Sequence, residues 1–162
     1  MKMQNTKLVN TVKPDFALVT FVRPAVFFGD GLDIDVWDGE HFVGSLGAGK
    51  LIQHEVEPGE HLFLANSENW SYVSGNLIAG KHYFIKANLF PGVLYGRVAL
   101  GVAQNTDPRI QEWQKKLKPT HASDKDKLDM EAKKRKEIDA ALQEFKTGNI
   151  STFAKLQAEN AL

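Results

Sequence analysis

Between Val36 and Asn66 apolar and polar positions alternate in short runs, broken at Asp38-Gly39, Gly47-Ala48-Gly49 and Pro58-Gly59. Alternation with a period of two turns one face of a strand toward a core. The breaks carry the residues that turns require. Pro58 presets φ, and Gly59 accepts the positive φ of a type II turn. Runs this short cannot bury their apolar faces alone, so further strands must pack on them.

The same patterning extends along the chain. Residues 1–13 read as a flexible lead-in. Phe16 to Val22 is a near-continuous apolar run of strand length, which predicts a central strand covered on both faces, ended by Arg23-Pro24. Phe27, Phe28, Gly29 and Gly31 follow in a loop. Leu32 to Trp37 alternates, with Leu32, Ile34 and Val36 inward and Trp37 outward. A three-residue loop, Asp38 to Glu40, then sets Val36 opposite Phe42 in the next strand, His41 to Leu46. Leu51 to Val56 and His61 to Asn66 read as a hairpin around Pro58-Gly59. Tyr72 to Ile78, His82 to Phe90 and Tyr95 to Val102 complete the set. Tyr83, Ile85, Ala87 and Leu89 share one face, as do Gly96, Val98, Leu100 and Val102. The fold class that follows is an all-β sandwich of seven to eight mainly antiparallel strands over residues 14–103.

After Gln104 the pattern changes to a C-terminal α-helical extension, 104–162. Asp107-Pro108 starts a helix whose Ile110, Trp113 and Leu117 fall on one stripe, and Pro119 ends it. Ser123 caps a second helix reaching about Lys146, with Gly148 as its stop. Its stripe is Leu128, Ala132, Ile138, Leu142 and Phe145, interrupted by the basic run Lys133 to Lys136. Glu131, Glu137 and Asp139 balance that run, which makes it a solvated face. Ile150 to Leu162 reads as a last short helix carrying Phe153 and Leu156.

Composition sharpens this division. All of the 13 Gly except Gly148, and all of the 10 Phe except Phe145 and Phe153, precede position 102. A chain of 162 residues makes one domain with an appendage. Its formal net charge of +0 argues against nucleic acid as a partner. With Cys 0 there is no disulfide, thiolate nucleophile or thiolate metal site. No apolar run approaches a bilayer span, and Met1 to Asn10 lacks the apolar core of a secretion signal.

Several side chains could carry chemistry. Trp37, Trp70 and Tyr72 could stack on a sugar or peptide if a polar sheet face leaves them exposed. Large aromatics are more often covered by another layer. His54 and His61 flank Pro58-Gly59 and are weak metal candidates, because zinc needs three or four ligands and no third is evident beside them. The expectation is therefore no metal and no cofactor. Asp30, Asp33, Asp35 and Asp38 form an acidic cluster, but Trp37 stands where a calcium loop needs an oxygen ligand. Ser67, His61 and Asp33 could make a hydrolytic trio, although no nucleophile elbow supports it.

Four stations resemble a known family: KPDFALVTFVRP at 13–24, VWDGEHFVGSLGAGK at 36–50, VEPGEHLFLANSE at 56–68 and LIAGKHYFIKANL at 77–89. They are similar to the bacterial domain of unknown function 2846 type, a β-sandwich found behind a lipoprotein or secretory leader. The resemblance covers about residues 13–103 and leaves the tail outside it. It implies a sandwich fold and a periplasmic or cell-envelope location, and it brings no catalytic residues. A cytoplasmic location is the alternative, since no leader with a lipidated Cys is visible. The function it implies is noncatalytic binding or scaffolding. The alternatives are a carbohydrate or small-ligand module using Trp37, Trp70 and Tyr72, and a small hydrolase. A protein partner, or a second copy of the chain, would meet the helical tail. A membrane would be met only through a lipid anchor, which this sequence lacks.

Overall fold

The computed structural model describes residues 1–26, 28–29, 31–148, 150 and 153–162. Two sheets carry the fold. The first holds six strands in the order β1 (Gln4–Asn5), β10 (Lys118–His121), β5 (Lys50–Val56), β2 (Ala17–Arg23), β8 (His82–Pro91) and β9 (Gly96–Val102). The second holds five, in the order β11 (Ala154–Lys155), β7 (Trp70–Leu77), β6 (Gly59–Asn66), β3 (Ile34–Asp38) and β4 (His41–Leu46). Three helices follow β9: α1 (Arg109–Lys116), α2 (Asp124–Lys133) and α3 (Arg135–Lys146).

The chain is thus mostly β, but the expectation of seven to eight mainly antiparallel strands needs correction. There are eleven strands among the described residues, and both sheets are mixed. β2 runs parallel to β8, β10 to β5 and β11 to β7. The extra strands come from the two ends of the chain, which return to lie along the sheets.

Alternation sorts the side chains into three apolar layers. Between the sheets lie Val19, Phe21, Ile34, Val36, Phe63, Val73 and Ile85. Outside the six-stranded sheet, Val22, Leu51 and Phe84 meet Ile110, Trp113 and Leu117 of the α1 stripe. Outside the five-stranded sheet, Trp37, Phe42, Leu64 and Tyr72 meet Ile138 and Ala141 of α3. A strand with apolar residues on both faces needs cover on both, and β2 is buried at every position. Helix α1 docks as its stripe requires. Asp107 accepts a hydrogen bond from the Arg109 amide at 2.9 Å, a side-chain cap on the first turn.

Several local expectations are corrected. The β3–β4 loop is the pair Gly39-Glu40, with Asp38 opposite His41, Trp37 opposite Phe42 and Val36 opposite Gly44. A bulge between Val36 and Trp37 resolves the clash of faces that had favoured a longer loop. Strands β5 and β6 form no hairpin: Val56 pairs with Ala17 in one sheet, and Gly59 with Leu77 in the other. Pro58-Gly59 therefore carries the chain across from sheet to sheet, a path that the same turn residues permit. Residues 1–13 are tied down as well. β1 pairs with β10, and the Val9 backbone exchanges hydrogen bonds with the Gln53 side chain at 2.6 and 2.9 Å.

The second expected helix is two. Ser123 caps α2 by accepting from the Asp126 amide, but Lys134, at φ −103 and ψ 13, separates α2 from α3. Leu128 is exposed while Met130 faces the sheet, so α2 does not use the stripe read from the sequence. The end of the chain is not a helix from Ile150 onward. It forms the strand β11 and a 3-10 turn, Ala158–Asn160, while Ser151 and Thr152 of that expected helix lie outside the described residues, as do Phe27 and Asp30.

Candidate functional site

Asp38 ends β3 and turns toward the inter-sheet layer, on the same side as Val36. His61 of β6 and His54 of β5 reach it from the two sheets. His54 Nε2 lies 3.0 Å from Asp38 Oδ2, and His61 Nδ1 lies 3.0 Å from each Asp38 oxygen. Both imidazoles pack on the buried Phe63 ring, His61 stacked and His54 edge-on. Burial pushes the Asp38 carboxyl up, but the two histidine hydrogen bonds outweigh it and hold it at about 2. His61 Nε2 also faces the Glu57 carbonyl at 2.7 Å. Both its nitrogens face acceptors, an arrangement that favours the doubly protonated ring. The bond to Asp38 is what raises the His61 pKa, against burial. The sequence placed the two histidines together but missed Asp38, because the wrong hairpin hid the crossing of the sheets. Among the described residues no group of three or more His, Asp or Glu side chains is arranged to hold a metal ion.

The aromatic strip is corrected by the same layering. Trp37 is 1% exposed and Tyr72 is 2% exposed, both under α3. Trp37 packs edge-on against Phe42, and Tyr72 stacks on Phe145 and donates to the Ala141 carbonyl at 3.0 Å. Burial pushes the Tyr72 hydroxyl up to about 12. Trp70 is half-buried in the same layer. The three form a sheet–helix seam rather than a stacking platform.

The hydrolytic trio is not assembled. The Ser67 hydroxyl donates to the Gly96 carbonyl at 2.9 Å, and His61 takes Asp38 instead of Asp33 as its carboxylate. Asp33 and Asp35 share a cleft of about 540 Å³ with Ser45, Lys50 and Thr120. Burial pushes the Asp35 carboxyl up, in part offset by a hydrogen bond from Ser45. A further histidine went unread. His82 is buried on the outer face of β8, its Nε2 2.6 Å from the Thr20 hydroxyl, and burial pushes its pKa down to about 4.

The most exposed apolar feature was also missed. The turn between β8 and β9 carries Val93, Leu94 and Tyr95, just after Phe90 near the end of β8, and Val93 is 90% and Leu94 81% exposed. The turn is shaped from below. Glu68, in the loop between β6 and β7, accepts hydrogen bonds from the amides of Val93, Leu94 and Tyr95 at 2.8, 3.0 and 3.2 Å. Desolvation pushes its carboxyl up, but the three amides together outweigh it and hold it below the usual range. A Cβ on Gly92 would overlap the Glu68 carboxylate as it is placed here, so glycine leaves room for this approach. Next to it, Asn69 both donates to and accepts from the Val98 backbone, and Ser71 accepts from the Leu100 amide. Residues 67–71 therefore close the free edge of β9.

No family model, no curated protein and no solved structure matches this chain. No helix among the described residues is long and apolar enough to cross a membrane.

Proposed function

We propose that the chain is a noncatalytic binding or scaffolding domain, a two-layer β-sandwich with helical flanks, and that it binds through the apolar turn between β8 and β9. The observation that carries this reading is Glu68 accepting from three successive amides beneath Val93 and Leu94, which are almost fully exposed. A loop that merely connects two strands has no need of a fixed shape and an apolar tip together. The four stations that resemble envelope-associated sandwiches support work at the cell envelope. The reading also accounts for the polar side chains that looked catalytic. Ser67 closes an edge and the Asp38–His61 pair joins β3 to β6, both as parts of the scaffold.

A second reading is a small hydrolase centred on the cleft that holds Asp33 and Asp35, favoured by the raised Asp35 pKa. Chromogenic esters, phosphates and glycosides separate the two. The binding reading expects the native chain to release no more chromophore than an Asp35→Asn variant. Turnover that vanishes in that variant would replace binding with hydrolysis.

A further inference from the structure

We propose that the β8–β9 turn enters the surface layer of a lipid bilayer while the sheets stay in water, an inference that rests on reading the turn as the binding element. Shape is the first argument. The exposed apolar side chains Val93, Leu94 and Tyr95 of the turn are 90%, 81% and 50% exposed, and Phe90, 42% exposed, stands near the end of β8 just before it. A stable protein interface takes roughly 20–30 residues a side, and four side chains at one end of a hairpin fall far short of it. A bilayer surface asks for less: an apolar edge reaching about 5–10 Å into the headgroup boundary.

The backbone is the second argument. A peptide N–H carried into an apolar layer without a partner is costly, and this excludes most loops. Here the amides of Val93, Leu94 and Tyr95 already donate to Glu68, so the tip can leave water without stranding them. Holding the turn in one shape also removes the ordering cost of binding. Tyr95 supplies an amphipathic ring of the kind that settles at the headgroup level. Arg97 lies beside Glu68 and offsets its charge. With the Glu68 carboxylate committed to the turn amides and drawn by Arg97, the apolar tip drives the interaction, which is one of insertion with little preference for anionic lipid.

Sedimentation with phosphatidylcholine vesicles, with and without phosphatidylglycerol, tests this on the full chain. The native protein is expected to pellet equally with both. A Val93→Ser, Leu94→Ser variant is expected to melt at the native temperature yet partition about tenfold less or weaker still, since both substitutions remove exposed apolar groups that the bilayer would bury. Native protein that stays in the supernatant with both vesicles overturns the inference, as does a variant that pellets as well as the native chain. Pelleting only with phosphatidylglycerol overturns it too, by making charge the driver. If light scattering shows a dimer that the variant abolishes, with no vesicle binding, the lipid assignment falls and the turn remains a binding element. Turnover in the chromogenic assay would remove the binding reading whatever the vesicles show.

Discussion

Leu156 packs so closely on Gly75 that a Cβ built on Gly75 would stand 2.5 Å from the Leu156 Cβ. Leu156 belongs to the inter-sheet layer, and its amide donates to the Ser74 carbonyl at 2.8 Å. The end of the chain is therefore part of the central core. Leu156→Ala is expected to cost about 2–5 kcal/mol, the range for a buried leucine. Gly75→Ala should cost about 1–3 kcal/mol through overpacking. A chain ending at Gln104 should lack a cooperative transition, and urea unfolding checks all three. A sharp, native-like transition in the truncated chain would show that the first sheet strands need nothing from the tail.

The contrast between docked and solvated parts of the tail gives a second prediction. Trp113 is buried against Phe84, and Trp113→Ala should lose about 3–5 kcal/mol. Arg135 is exposed and pairs with Glu40 and Asp139. A Lys134→Ala, Arg135→Ala variant should lose almost no stability, because exposed ion pairs are screened by solvent. Thermal melts of the two variants decide this, and equal small losses would mean that α1 is not docked.

Much of this was legible in the sequence where one element answers to its own pattern. The near-continuous run Phe16 to Val22 implied a strand covered twice, and Ile110, Trp113 and Leu117 gave the buried face of α1. What was not legible depends on partners far along the chain. Pro58-Gly59 suits a hairpin and a crossing equally, so the turn could not say that β5 and β6 lie in different sheets. Four residues in β10 and two in β11 are too few to show a period. The break at Lys134 falls in the basic run that interrupts the stripe, and a run of charges reads as a solvated face as readily as a helix end. Glu68 meets amides 25 to 27 residues away, and nothing local marks it as their acceptor.

Acid should destabilise the fold through His82. Its folded pKa, about 4, lies below the ordinary value of 6.5, so the unfolded state binds the extra proton first. Stability should fall as pH drops from 6.5 toward 4, by about 3 kcal/mol at most, taking 1.36 kcal/mol per pKa unit. A His82→Gln variant should show a flatter limb there. An unchanged slope would mean that His82 takes up its proton in the folded chain as readily as in solution.

In the Asp38–His61 pair, the histidine titrates in the opposite sense to His82. The His61 pKa is raised, so its contribution is complete below 6.5 and is lost as pH rises through the folded value. Asp38 is lowered to about 2, so its share is present above 3.8 and is lost as pH falls through about 2. Denaturant midpoints across pH 5 to 9 should decline on the alkaline side, and His61→Gln should remove the decline. A native profile that is level above pH 6.5 would show that the two groups do not form a charged pair.

The binding reading depends on the turn being fixed before any partner arrives. Amide hydrogen exchange at Val93, Leu94 and Tyr95 measures that directly in the free chain. The account predicts slow exchange at all three despite their exposure, because each N–H is bonded to Glu68, and fast exchange in a Glu68→Ala variant that melts at the native temperature. Exchange at unprotected rates in the native protein, or protection that survives Glu68→Ala, would contradict it.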